Sequence, residues 1–101
     1  MRTSKYKVHI SELAPELSTR PAGASARDKL LILLEGCDEV EIDLDFANLT
    51  PSFADECVGR LAAKIGLSEF KKRVRLLHVG EFDKPLIRHV VLRRCGESVA
   101  T

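Results

Sequence analysis

Apolar and polar residues alternate strictly over residues 5–10, with Tyr6, Val8 and Ile10 on one side and Lys5, Lys7 and His9 on the other. A period of two marks a half-buried strand. The same alternation runs unbroken over 39–46, where Val40, Ile42, Leu44 and Phe46 face one way and Glu39, Glu41, Asp43 and Asp45 the other. One face of that strand is therefore predicted buried and the other wet. Between the two, residues 18–24 carry Pro21 and Gly23 without periodicity and read as a loop. Ser25, with Asp28 three residues on, is placed to cap a helix over 26–35. Leu30, Leu31, Leu33 and Leu34 supply its apolar stripe, and Gly36 is expected to stop it in a left-handed conformation.

After a turn over 47–51, Phe53, Cys57, Val58, Leu61, Ala62 and Ile65 recur at helical spacing until Gly66. A third strand is predicted over 73–79, with Arg73 and Arg75 opposite Val74 and Leu76. Asp83 and Pro85 then open a last helix whose apolar side is Leu86, Ile87, Val90 and Val91, ending at Gly96. The tail beyond it is expected to fray. Strands alternating with helices favour a mostly parallel sheet, and same-handed crossovers in one direction put the helices on one face. The fold class expected is α/β, a two-layer sandwich of a small sheet with helices on one side. Placing the acidic strand between the two basic ones sets opposite charges across each ladder.

Length and composition narrow the class. At 101 residues a second core would leave each half too small to fold, so one domain is expected. No run approaches a membrane span and the first ten residues lack a signal-peptide core, which places the chain in the cytoplasm as an expectation. Cys37, Cys57 and Cys95 have no short-spaced pair, so reduced thiols are expected rather than disulfides or zinc. The net charge is +1, which argues against a protein that neutralises many phosphates.

The stretch Asp45, Phe46, then Ser52, Phe53, Ala54, Asp55 and Glu56, then Leu61 and Gly66 resembles the STAS-like domain of unknown function. That family is a bacterial relative of the STAS domains of sulfate transporters and anti-sigma factor antagonists. Upstream, Arg20, Gly23 and Arg27 resemble its Arg-rich entry to the first helix, so the likeness spans about 18–91. It implies a non-catalytic regulatory domain that binds another protein, in the manner of antagonists that act with a histidine-kinase-like ATPase. It also implies phosphorylation of a serine at the start of the helix, for which Ser52 is the nearest equivalent. The usual Asp-Ser-Ser-Gly is replaced here by Thr50, Pro51, Ser52 and Phe53.

Partner docking is accordingly expected at Asn48, Thr50, Ser52, Phe53, Asp55 and Glu56, at the carboxyl end of the central strand, where parallel sheets usually bind. Self-association is compatible with this, and no cofactor is expected. Ser52 also fits a purely structural role as an N-cap, with the Asp55 carboxylate reaching back. Two other classes have residues to carry them. Asp43 and Asp45 project from one strand face, the geometry of Mg²⁺-dependent phosphoryl transfer or nuclease chemistry, although Glu39 and Glu41 continue the stripe as a solvated face would. Lys71, Lys72, Arg73 and Arg75 could contact nucleic acid, but Phe70 is their single aromatic neighbour. Cys57 lies on an apolar stripe, where a core role outweighs a nucleophile paired with His78, and His9, His78 and His89 lack metal-ligand spacing.

Overall fold

In the computed structural model, which describes residues 4–96, the alternating segments pair as one parallel sheet. Its order is β1 (Lys5–His9), β2 (Glu39–Asp43), β3 (Val74–Leu77). Val8, Val40, Ile42 and Val74 point into the core, while Lys5, Lys7 and Arg75 are exposed on the other face with Glu39 and Glu41 half-buried among them. The acidic strand is central, as the charge pattern predicts: Lys5 registers with Glu39, Lys7 with Glu41, and Glu41 with Arg75. Arg75 Nε also donates to Glu39 Oε1 over 3.1 Å. Such surface pairs are worth about 0–1 kcal/mol each, enough to bias strand order but not to hold the sheet.

Four helices cover the apolar face. α1 (Arg20–Gly36) buries Ala22, Ala26, Leu30 and Leu34, one residue per turn. It begins a turn and a half before the expected start. Thr19, not Ser25, is the N-cap, its hydroxyl accepting from the Ala22 amide at 3.2 Å. Pro21 sits in the first helical turn, where its missing N–H has no partner to lose. Glu16 braces this start by accepting from the Ser18 and Thr19 amides and hydroxyls. The Thr19 and Ser18 hydrogen bonds hold its carboxyl down at about 2.

Gly36 also departs from expectation: it is the last helical residue, and Cys37 leaves in an extended conformation. Arg73 caps this end instead. Its guanidinium donates to the carbonyls of Leu34, Cys37 and Asp38, satisfying acceptors that a helix end leaves unpaired.

α2 is one continuous helix in three parts: a first turn at Pro51–Ala54, a π-helical turn at Asp55–Gly59, and Arg60–Ile65. The π turn packs between α1 and the last helix. Gly66, at φ 94°, turns the chain into α3 (Leu67–Arg73), a helix the sequence pattern does not announce because Phe70 is its one buried residue. Arg73 therefore ends a helix rather than starting a strand. α4 (Asp83–Gly96) buries Ile87, Val90 and Val91 as expected. The frayed tail lies outside the described residues. Among the described residues no helix is long and apolar enough to cross a membrane.

Gly23 decides how close α1 lies to α2. A Cβ there would stand 2.9 Å from the Phe53 carbonyl oxygen and 2.9 Å from Glu56 Cβ, and a helix backbone cannot yield locally. Gly23→Ala gains about 1 kcal/mol of helix propensity but forces the helices apart, an overpacking cost of about 1–3 kcal/mol. The expected outcome is a lower urea midpoint with an unchanged m-value, read by circular dichroism.

Candidate functional site

The turn after β2 is built by local hydrogen bonds. The Asp45 amide donates to Asp43 Oδ1 at 2.9 Å, and the Ala47 amide to the Leu44 carbonyl at 3.0 Å. These bonds end the strand at Asp43 and rotate Phe46 out of the alternation. It stands at φ 61° and is 97% exposed, not on the buried side as its parity suggests.

Leu49 is buried beneath the turn, while Asn48 is exposed. Thr50 caps α2: its hydroxyl accepts from the Phe53 amide at 3.2 Å and donates to the Ser18 carbonyl at 2.7 Å. Ser52 is consequently not the cap but a half-buried residue of the first turn. Phe53 is fully buried, so it belongs to the core stripe and offers no surface to a partner.

Asp55 and Glu56, which follow Ala54, face arginines from three helices. Asp55 accepts Arg94 Nε at 2.8 Å and Nη2 at 2.6 Å, a bidentate pair, and Arg20 Nη1 at 2.9 Å. Glu56 accepts Arg20 Nη1 at 3.1 Å and Arg27 Nη1 at 3.0 Å, and Arg27 also donates to the Glu56 carbonyl at 2.6 Å. Arg60 Nε lies 3.3 Å from the same carboxylate.

The Arg94 hydrogen bonds hold the Asp55 carboxyl well below the usual carboxylate range, with Arg20 adding to them. For Glu56 burial pushes upward, but Arg27 and Arg20 outweigh it and the carboxyl is lowered. The Asp55 carboxylate thus bonds to α1 and α4 rather than reaching back to Ser52.

The carboxyl edge of the sheet carries a second polar group. His78 Nδ1 lies 2.9 Å from Asp43 Oδ1, and this bond lowers the Asp43 carboxyl. His9 Nε2 lies 2.8 Å from the Asp45 carbonyl, which can only accept, while its Nδ1 accepts from the Ser11 amide. The described residues with positive φ other than glycine, Phe46 and His78, both leave this edge. Phe82, in the loop after β3, is 94% exposed. Backbone in the left-handed region costs a non-glycine residue about 1–2 kcal/mol, and such residues cluster at functional sites.

The model of the STAS-like domain of unknown function (DUF4325) matches residues 22–84, well over half of the chain. The chain belongs to this family. No curated protein and no solved structure gives a significant match. In this STAS-like chain the two segments that carry the resemblance meet in space: Gly23 and Arg27 lie against Phe53 and Glu56. Arg20, which joins them, lies two residues before the matched span, and Arg94 ten residues beyond it. Sequence inspection missed Arg60 and Arg94 as members of the cluster. The signal available was the i, i+4 spacing of Glu56 and Arg60; nothing local points to Arg94.

The other candidates separate. Among the described residues no three His, Cys, Asp or Glu side chains are grouped to hold a metal. Asp43 is engaged by His78, and Asp45 lies beyond the strand end in the turn. Of the basic block, Arg73 caps α1 and Arg75 pairs with Glu39, while Lys71 and Lys72 flank a shallow depression shared with Asp38, Glu39 and Glu69. Phe70 is buried there and presents no ring for stacking. Cys57 is in the core, where burial pushes its thiol up to about 12, whereas His78 is on the surface.

Proposed function

We propose that this STAS-like chain is a non-catalytic regulatory module that captures another protein at the carboxyl edge of its sheet. Phe46 carries the proposal: an aromatic ring 97% exposed, held out on left-handed backbone beside the central strand. Exposed aromatics that a partner can desolvate are the usual energetic centres of interfaces. Phe82 and Asn48 extend the same edge, and Asp43 and Asp45 give it an acidic rim. Of the residues expected to dock, Asn48 is exposed and Ser52 half-buried. Thr50 supports the turn from within. Asp55 and Glu56 are engaged by arginines of α1, α2 and α4 and tie the helices together rather than touching a partner.

The partner class proposed is a histidine-kinase-like ATPase, on the likeness to STAS antagonists that act with one. The test is the affinity of the purified chain for an ATPase of that class. Phe46→Ser is expected to weaken capture at least about tenfold, some 1.4 kcal/mol, with an unchanged melting temperature. Incubating the pair with ATP tests Ser52 as the phosphoacceptor by mass spectrometry. If Phe46→Ser and Phe82→Ser both bind as tightly as the parent chain, the edge is not the docking site.

A further inference from the structure

α1, α2 and α4 surround an open concavity of about 360 Å³ lined by Arg27, Arg60, Ala63, Lys64 and Arg94. Among the described residues no carboxylate lines it. Among the described residues the cations behind it outnumber the carboxylates. Asp55 and Glu56 together contact four arginines, Arg20, Arg27, Arg60 and Arg94, and Lys64 stands one turn beyond Arg60 without an ion pair or hydrogen bond to any described residue. Each surplus cation repels the others in a partly dehydrated site.

The donors are also incompletely used. Arg27 spends Nη1 on the Glu56 carbonyl and carboxylate, which leaves Nε and Nη2 without acceptors among the described residues. Its side chain is only 18% exposed, so this is not the solvated arginine of an open helix face. Arg60 engages Glu56 through Nε and keeps both terminal nitrogens. Arg94, held by Asp55, forms the far wall. Guanidinium groups fixed by carboxylates behind them lose little freedom on meeting an anion, and their forked donors match the oxygens of a phosphate.

We propose that this concavity is a binding site for a phosphate group, taken as inorganic phosphate or as the phosphate of a monoester. The site lies on the helical layer and is independent of the docking edge, so either can fail without the other.

The test is a titration of ¹⁵N-labelled chain with inorganic phosphate at constant ionic strength, followed at the backbone amides and arginine Nε–Hε groups. Saturable shifts are expected at Arg27, Arg60 and Lys64, with a Kd near about 1 mM. The Arg60→Gln, Lys64→Gln double variant, altered at exposed positions, should bind at least about tenfold more weakly with its fold intact by circular dichroism. Lys71→Gln with Lys72→Gln, equally basic and exposed on α3, should bind like the parent chain. Phosphoserine and adenosine monophosphate run in parallel: tighter binding by either identifies a monoester as the ligand, and no gain over phosphate identifies the free ion. Absence of saturable shifts, equal response to chloride, or undiminished binding by the Arg60/Lys64 variant would overturn the site.

Discussion

Replacing Phe53 by alanine will destabilise the domain by about 3–5 kcal/mol, the cost of removing a large ring from a closed core. Phe53 is fully buried, at the start of α2 where Gly23 brings α1 against the Phe53 carbonyl. The surrounding backbones belong to regular elements and cannot collapse into the space, which places the loss toward the upper part of the range. A domain of this size holds about 5–15 kcal/mol in total, so the melting temperature should fall by about 15 °C or more. Loss of partner capture by this variant would therefore report unfolding rather than a missing contact. The pair Phe53→Ala and Phe46→Ser separates the two causes: the first should shift thermal unfolding and the second should not. A thermally silent Phe53→Ala would contradict the packing described above.

Asp55→Asn is expected to cost about 2 kcal/mol, between the small value of exposed ion pairs and the 3–5 kcal/mol of buried ones. The Asp55 side chain is 13% exposed, whereas Arg20 and Arg94 are 52% and 29% exposed, so water screens part of the interaction. Asparagine leaves both guanidinium groups facing a neutral acceptor and turns an amide NH₂ toward one of them.

The pH dependence follows from the direction of the shift. The folded Asp55 carboxyl lies below its unfolded value of about 3.9, so its stabilisation is complete at neutral pH. It begins to fade as pH drops below about 5 and is lost as pH falls through the folded value. Urea midpoints measured from pH 7 to pH 3 should therefore fall less steeply for Asp55→Asn than for the parent chain. Parallel curves would show that Asp55 is not the group that couples folding to acid.

Much of this architecture is legible without coordinates, and the parts that are not have a common cause. β2 and α2 follow from periods of two and of about 3.6, because the side a residue faces depends on its immediate neighbours alone. The order of strands follows from charge, since only a central acidic strand meets a basic partner on both sides. The start of α1 does not follow. Ser25 and Thr19 are equally good caps, and Pro21 and Gly23 look like breakers until Gly23 is seen to be the residue that admits α2. Arg73 reads as a strand residue because the open carbonyls at the end of α1 are invisible in its local pattern. Phe46 obeys the alternation on paper, yet two hydrogen bonds in the turn end the strand three residues early and turn the ring outward.

The candidate site divides in the same way. Asp55 and Glu56 are recognisable as a motif, but their role depends on Arg20, Arg27 and Arg94, up to 39 residues away. By itself the sequence determined the α/β class, the one-sided burial of a parallel sheet, the family, and the segments that carry its signature. Only the tertiary structure decided that those segments form an arginine-rich seam between helices, that Phe53 is core, and that Phe46 is surface. Periodicity is written in neighbouring residues, whereas the pairing of charges and the exposure of a turn depend on how helices far apart in the chain pack against one another.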